Sequence, residues 1–175
     1  YKRQIYMFLD VNYIYNNLYI PWYNFLWEKN DNWINLGYWK NGCSYNDACE
    51  NLLELMCINF NENDIVLDVG CGFGKSTHII KEKYNVKKII GINICENQLK
   101  IAKKNENENI IFRNENAIKM NFCNNNEFSK IIALECLHHF DRIKFLKKSY
   151  EKLDIDGELI IADFCWKSNW YLNII

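Results

Sequence analysis

From Asp64 onward the chain changes rhythm at regular intervals, and this alternation limits the possible folds more than any other feature. IVLDVG (Ile65 to Gly70) is a short apolar run closed by glycine, followed by STHIIKEKY (Ser76 to Tyr84) with apolar residues at helical spacing. The first pattern is that of a buried strand and the second that of a helix packed on it. KKIIGINI (Lys87 to Ile94) repeats the strand signal. CENQLKIAKKN (Cys95 to Asn105) repeats the helix signal, with Leu99 and Ala102 facing inward. A strand, a helix and a second strand at this spacing imply parallel pairing through a right-handed crossover.

The alternation continues with NIIFRNENA as a third strand and KIIALEC (Lys130 to Cys136) as a fourth. RIKFLKKSYEKL (Arg142 to Leu153) reads as the next helix, and IDGELIIADF places a turn at Asp156-Gly157 before a fifth strand. Five strands interleaved with helices predict an α/β fold: a Rossmann-like, doubly wound sheet of mostly parallel strands. Residues 1–59 read as a mostly helical cover, with DACENLLELMCINF (Asp47 to Phe60) its clearest amphipathic segment, and residues 60–175 read as the core.

Charge and composition exclude several function classes. Apolar residues make up 49% of the 175 and charged residues 25%, the balance of a folded domain. A net charge of -1 offers no general attraction to nucleic acid or an anionic membrane. The aromatic stretch YIYNNLYIPWYNFLW (Tyr13 to Trp27) is interrupted by Asn16, Asn17, Pro21 and Asn24, which is too polar for a spanning helix. It reads as packing, or as a lid over a ligand. The 8 cysteines form no C-x-x-C pair and no grouping with zinc spacing. We therefore expect free thiols, no metal and a cytoplasmic protein. Oligomeric state is left open.

DVGCGFGKST (Asp68 to Thr77), between the first strand and first helix, is the chemical focus. Its GKS tail resembles a phosphate-binding loop, but such a loop needs glycine where Val69 stands, to start the nest around the phosphates. The dinucleotide fingerprint G-x-G-x-x-G fits Gly70 and Gly72 but would require glycine at Lys75. What is present, Gly70, Gly72 and Gly74 at alternate positions, allows close backbone approach without building a pyrophosphate cradle. That suits a ligand joining an amino-acid tail to a nucleoside.

LDVGCGFG resembles motif I of the class I S-adenosylmethionine-dependent methyltransferases. NLGYW (Asn35 to Trp39), GINICENQ (Gly91 to Gln98), IALECLHHF (Ile132 to Phe140) and LDIDGELIIADF (Leu153 to Phe164) are similar to successive blocks of the small-molecule branch. That branch includes sterol, tocopherol and phosphoethanolamine methyltransferases. The resemblance implies S-adenosylmethionine as cofactor and a small-molecule methyl acceptor. It places Asp68, Gly70, Cys71, Gly72 and Gly74 around the methionine portion, and Asn93, Ile94 and Gln98 near the ribose. Asn116 and Ala117 fall near the adenine, and Leu134 completes the set.

Two departures stand out. Asn93 and Asn116 occupy positions where the family has acids, and an amide oxygen is a weaker acceptor than a carboxylate. His139 matches the histidine that phosphoethanolamine-type enzymes place near the acceptor. With an ordinary pKa near 6.5, histidine suits a base. His138, Glu135 and Tyr38 are the further catalytic candidates, Glu135 as a contact to the cofactor or the acceptor, and Tyr38 with Trp39 are candidates for an aromatic floor under the sulfonium. A catalytically inactive methyltransferase-like binding module and a nicotinamide-dependent oxidoreductase are the alternatives. The family's sheet has two further strands, so we expect this sequence to be part of a longer protein.

Overall fold

The structure, a computed structural model, describes residues 32–163. The aromatic stretch Tyr13 to Trp27, Phe164 and Cys165 lie outside the described residues. Helix α1 (Tyr45–Met56) precedes an alternating series: β1 (Ile65–Val69), α2 (Lys75–Tyr84), β2 (Lys88–Asn93), α3 (Glu96–Ala102), β3 (Ile110–Asn114), β4 (Phe128–Leu134), α4 (Arg142–Lys152) and β5 (Leu153–Ala162). Short 3-10 turns follow α3 and β4, the latter at Leu137–His139.

The five strands pair in the order β3-β2-β1-β4-β5, and every pairing is parallel. Direction of travel across the sheet reverses between β1 and β4, the switch point above which open α/β sheets bind ligands. β1, β2 and β4 are buried almost throughout, which explains their continuous apolar runs. One core cluster contains Val66, Ile89, Ile110 and Ile132, and includes Trp33, Cys49, Leu53 and Cys57 from the segment before β1. The other contains Leu67, Ile90, Phe128, Ile131 and Phe145. The described part of the amino-terminal segment thus packs into the sheet's own core.

Helix boundaries follow local chemistry. α1 starts at a capping box in which Asp47 N–H donates to the Ser44 side chain and Ser44 N–H donates back to Asp47. α4 starts where Asp141 accepts from Lys144 N–H at 3.1 Å. The turn expected at Asp156-Gly157 lies inside β5. Asp156 has φ 65, and between Phe128 and Lys130 the partner residue jumps from Leu153 to Glu158. The turn chemistry therefore produces a bulge, because pairing with β4 resumes at once on its far side. No helix among the described residues is long and apolar enough to cross a membrane. No disulfide joins any two of the seven cysteines among them.

Candidate functional site

A cavity of about 340 Å³ opens above the carboxyl ends of the strands. Its floor includes Gly70 and Gly72 after β1 and Asn93 and Ile94 at the end of β2. Glu115, Asn116 and Ala117 follow β3, and Leu134, Glu135, Cys136 and His139 come from the end of β4. Gln98 reaches it from α3. The chain before α1 supplies Ile34 and Asn35. A smaller adjoining recess is lined by Asp68 and Cys71, and shares Ile34, Asn35, Gly70, Gly72 and Leu134 with the main cavity.

The glycine loop is held from both sides. Gly70 and Cys71 N–H groups both donate to Ile92 O, at 2.8 and 3.1 Å. Asp68 is buried, and its Oδ2 accepts from Ser76 Oγ and Thr77 Oγ1, both at 2.7 Å. Burial pushes its carboxyl pKa up to about 6, against the lowering effect of the Thr77 and Ser76 bonds. Asp68, expected beside the methionine portion, is thus engaged in fixing the first turn of α2 and lies outside the main cavity. Burial also pushes the Cys71 thiol well up, so it behaves as a small apolar residue.

Gly74 corrects a second expectation. Its φ is +83, and a Cβ there would stand 2.7 Å from Phe112 Cζ and 2.9 Å from Ala102 Cβ. What approaches this glycine is the protein itself, where α2 begins against β3 and α3. Gly70, by contrast, lines the cavity, and a Cβ on it would meet Cys136 at 2.7 Å.

At the end of β2, Asn93 Nδ2 donates to Gln98 Oε1 at 2.7 Å and to Gly72 O at 3.3 Å, while its Oδ1 accepts from Cys95 N–H at 3.3 Å. The amide pair leaves Gln98 Nε2 buried without a partner. Asn116 Oδ1 accepts from Ile118 N–H at 3.0 Å. Both amides at the expected acid positions are therefore already bonded within the protein, each retaining one oxygen lone pair for a ligand.

In the chain before α1, Leu36 N–H donates to Glu135 Oε2 at 2.8 Å, and Ile34 packs where a Cβ on Gly72 would stand 2.9 Å from its Cδ1. Glu135 has φ 49, an uncommon left-handed conformation for a residue with a side chain, and its own N–H donates to Ala162 O at 2.7 Å. Its pKa is raised, mainly by burial, with the Leu36 bond opposing. Asn35 is buried and its Oδ1 has no partner. Tyr38 and Trp39, expected as the floor, are instead about half exposed and do not line the cavity. Gly37 has φ +75 and a Cβ there would lie 2.7 Å from the Ala48 backbone, so the chain turns onto α1. Tyr38 N–H then donates to Ala48 O at 2.7 Å, and Trp39 Nε1 to Leu36 O at 2.8 Å.

The two histidines differ. His138 Nδ1 lies 3.1 Å from Asp163 Oδ1, and its backbone N–H donates to Asp163 Oδ2 at 3.1 Å, so it ties the turn to the end of β5. It does not line the cavity, whereas His139 does. The rings are in contact, with centroids 3.9 Å apart and planes tilted by 49°. Burial, then the neighbouring His138, lowers the His139 pKa to about 4, with Asp163 opposing. The pKa near 6.5 expected from the residue type is not retained, and His139 is a neutral imidazole at physiological pH.

Ile34, Asn35, Glu115 and Phe140 were missed from the sequence. A search for residues flanking each strand's carboxyl end would have found Glu115 and Phe140. Asn35 opens the NLGYW block, whereas no local signal marks Ile34.

Comparison with known proteins places these features in context. A family model described as "Methyltransferase domain" matches residues 67–161. The chain is 35% identical over 120 residues to phosphoethanolamine N-methyltransferase of Plasmodium falciparum, covering 65% of this chain and 44% of that protein. It is 31% identical over 140 residues to erythromycin 3''-O-methyltransferase of Saccharopolyspora erythraea, covering 75% and 45%. Among solved structures, the cyclase SpnF superposes with a TM-score of 0.78 at 22% identity, covering 87% of this chain and 58% of that one. The chain spans less than half the length of the two curated relatives.

Proposed function

The chain belongs to the methyltransferase family, and on that premise we propose that it transfers a methyl group from S-adenosylmethionine to a small-molecule acceptor in the cytoplasm. The observation that carries this reading is the cavity at the switch point, where Gly70, Gly72, Asn93, Gln98 and Asn116 converge from separate motifs. Two buried atoms fit the cofactor. Gln98 Nε2 is a donor without an acceptor and Asn35 Oδ1 an acceptor without a donor. A ribose hydroxyl and an ammonium group would satisfy them, removing the cost of buried unpaired polar atoms.

When bound, the cofactor supplies a methyl group on a positively charged sulfur. The chain's residues then align and shield. Asn93, Ile94 and Gln98 hold the ribose side, Asn116 and Ala117 the adenine side, and Gly70 and Gly72 the methionine side, with Asp68, Cys71 and Gly74 keeping that loop in shape. Leu134 and the segment carrying Ile34 exclude water. Neutral His139 accepts a hydrogen bond from a nucleophile that carries a proton, orienting its lone pair, and His138 positions His139 through the contact of their tilted rings. Glu135 anchors the segment carrying Asn35, while Tyr38 and Trp39 hold that segment on α1.

Calorimetric titration with S-adenosylmethionine, and separately with NAD, tests the reading. Binding of the first alone supports it, and binding of neither overturns it. A His139→Ala change should then lower methyl transfer about 100-fold across a panel of amines, phenols and sugars, leaving cofactor affinity unchanged. Equal loss of both removes His139 from any role at the acceptor. A second reading, a ligand-binding module of this fold without methyl transfer, is favoured by the engaged oxygens of Asn93 and Asn116.

A further inference from the structure

The turn after β4 that carries His139 is held from the end of β5 at successive residues. Glu135 N–H donates to Ala162 O at 2.7 Å, and His138 N–H donates to Asp163 Oδ2 at 3.1 Å. The second bond satisfies one of the backbone donors that the first turn of a helical segment, here Leu137–His139, cannot pair internally. The other Asp163 oxygen, Oδ1, lies 3.1 Å from the His138 ring nitrogen Nδ1. The Asp163 side chain is only 11% exposed, so both bonds form where water competes weakly. An ionised carboxylate only accepts, so His138 Nδ1 carries its proton whether the ring is neutral or charged.

His138 in turn touches His139. Their ring centroids lie 3.9 Å apart with planes tilted by 49°, and of the two only His139 lines the cavity. A neutral imidazole accepts a hydrogen bond through its unprotonated nitrogen alone, so a flip of the His139 ring exchanges an acceptor for a donor. The Oδ2 bond by itself would fix the backbone of the turn. What the Oδ1 bond adds is order in the ring against which His139 rests. We infer that Asp163 is a positioning residue for the proposed methyl transfer: by gripping both the backbone and the ring of His138, it holds the His139 ring in one orientation at the cavity wall. An acceptor oriented in advance spares the reaction that ordering cost. The role in turnover rests on the methyl-transfer reading, whereas the hold on the two rings does not.

Nitrogen-15 spectra of the imidazoles test this directly, because the 175-residue chain has three histidines, His78, His138 and His139. Signals are assigned with His78→Gln and His138→Gln variants. At neutral pH the parent should show His138 protonated at Nδ1 and His139 as a single tautomer. Asp163→Asn keeps one acceptor oxygen where two are used. With that oxygen on the His138 backbone N–H, the amide donates to Nδ1 and drives the ring proton to Nε2. Asp163→Ala removes both bonds. In both variants the His139 shifts should move toward the average of two tautomers, and a thermal melt checks each fold. Methyl transfer to whichever of benzylamine, phenol and glucose the parent accepts should fall about tenfold in kcat, with KM for S-adenosylmethionine unchanged. An unprotonated His138 Nδ1 in the parent overturns the inference, as do His139 shifts unchanged in both variants. So does an unchanged kcat in a variant whose His139 shifts have moved, or a joint loss of kcat and cofactor affinity, which a merely structural role produces. No methyl transfer by the parent, with both rings behaving as expected, counts against the methyl-transfer reading and leaves the hold on the rings standing.

Discussion

The glycine loop after β1 and the histidine turn after β4 face each other across the sheet's switch point, yet they are built on opposite principles. In the loop, Asp68 is fully engaged, accepting two hydroxyl bonds that fix α2. In the turn, Glu135 adopts a left-handed conformation, and His139 borders the cavity, where burial and then the neighbouring His138 oppose its charging. The loop is a closed structural unit that presents backbone. The turn presents side chains and stores strain, the usual arrangement where substrates vary on a common fold.

The largest effect that would break this contrast is expected at Asp68. Asp68→Ala leaves two buried hydroxyls without an acceptor, and should cost about 3 kcal/mol of stability in urea denaturation. A loss below about 1 kcal/mol would mean that the loop is not closed in this sense.

A smaller effect is expected at Gln98. Gln98→Leu removes the acceptor for Asn93 Nδ2 and the unpaired Nε2 together, and should weaken S-adenosylmethionine binding about tenfold, roughly 1.4 kcal/mol. Calorimetry on the variant checks this, and an unchanged affinity would place the ribose elsewhere.

The most subtle test is the pH dependence of stability, because the two regions should pull in opposite directions. Asp68 has a folded pKa of about 6, raised from 3.8, so the folded state binds the extra proton between these values. Its contribution to stability is present at low pH and lost as pH rises through that window. His139 has a folded pKa of about 4, lowered from 6.5, so the unfolded state binds the extra proton. Its contribution grows as pH rises from 4 to 6.5. Denaturation midpoints followed from pH 4 to 7 should therefore rise more steeply in Asp68→Asn and less steeply in His139→Ala than in the parent. Parallel curves for all three would show that neither group is perturbed as described.

Much of this was legible in the chain. The alternation of periods 2 and 3.6 is local, and it located β1 to β4 and their helices to within a few residues. The bulge in β5 was not legible, since Asp156-Gly157 signals a turn whether or not the strand resumes beyond it. At the site, Gly70, Gly72, Asn93 and Gln98 could be named because they sit at fixed offsets from strand ends, and such offsets determine which residues reach the switch point.

The sequence by itself determined the parallel α/β architecture and the family. The tertiary structure alone decided who faces the cavity and with what charge. Leu36 and Glu135 are separated by 99 positions, and their hydrogen bond, with those of Tyr45 and Cys49 to Asn35 O, holds Ile34 and Asn35 at the cavity. The turn at Gly37 meanwhile lays Tyr38 and Trp39 on α1. His139 loses its ordinary pKa only because folding buries it against His138. Periodicity reports the few residues on either side of a position, whereas burial and electrostatics depend on neighbours that only the closed fold supplies.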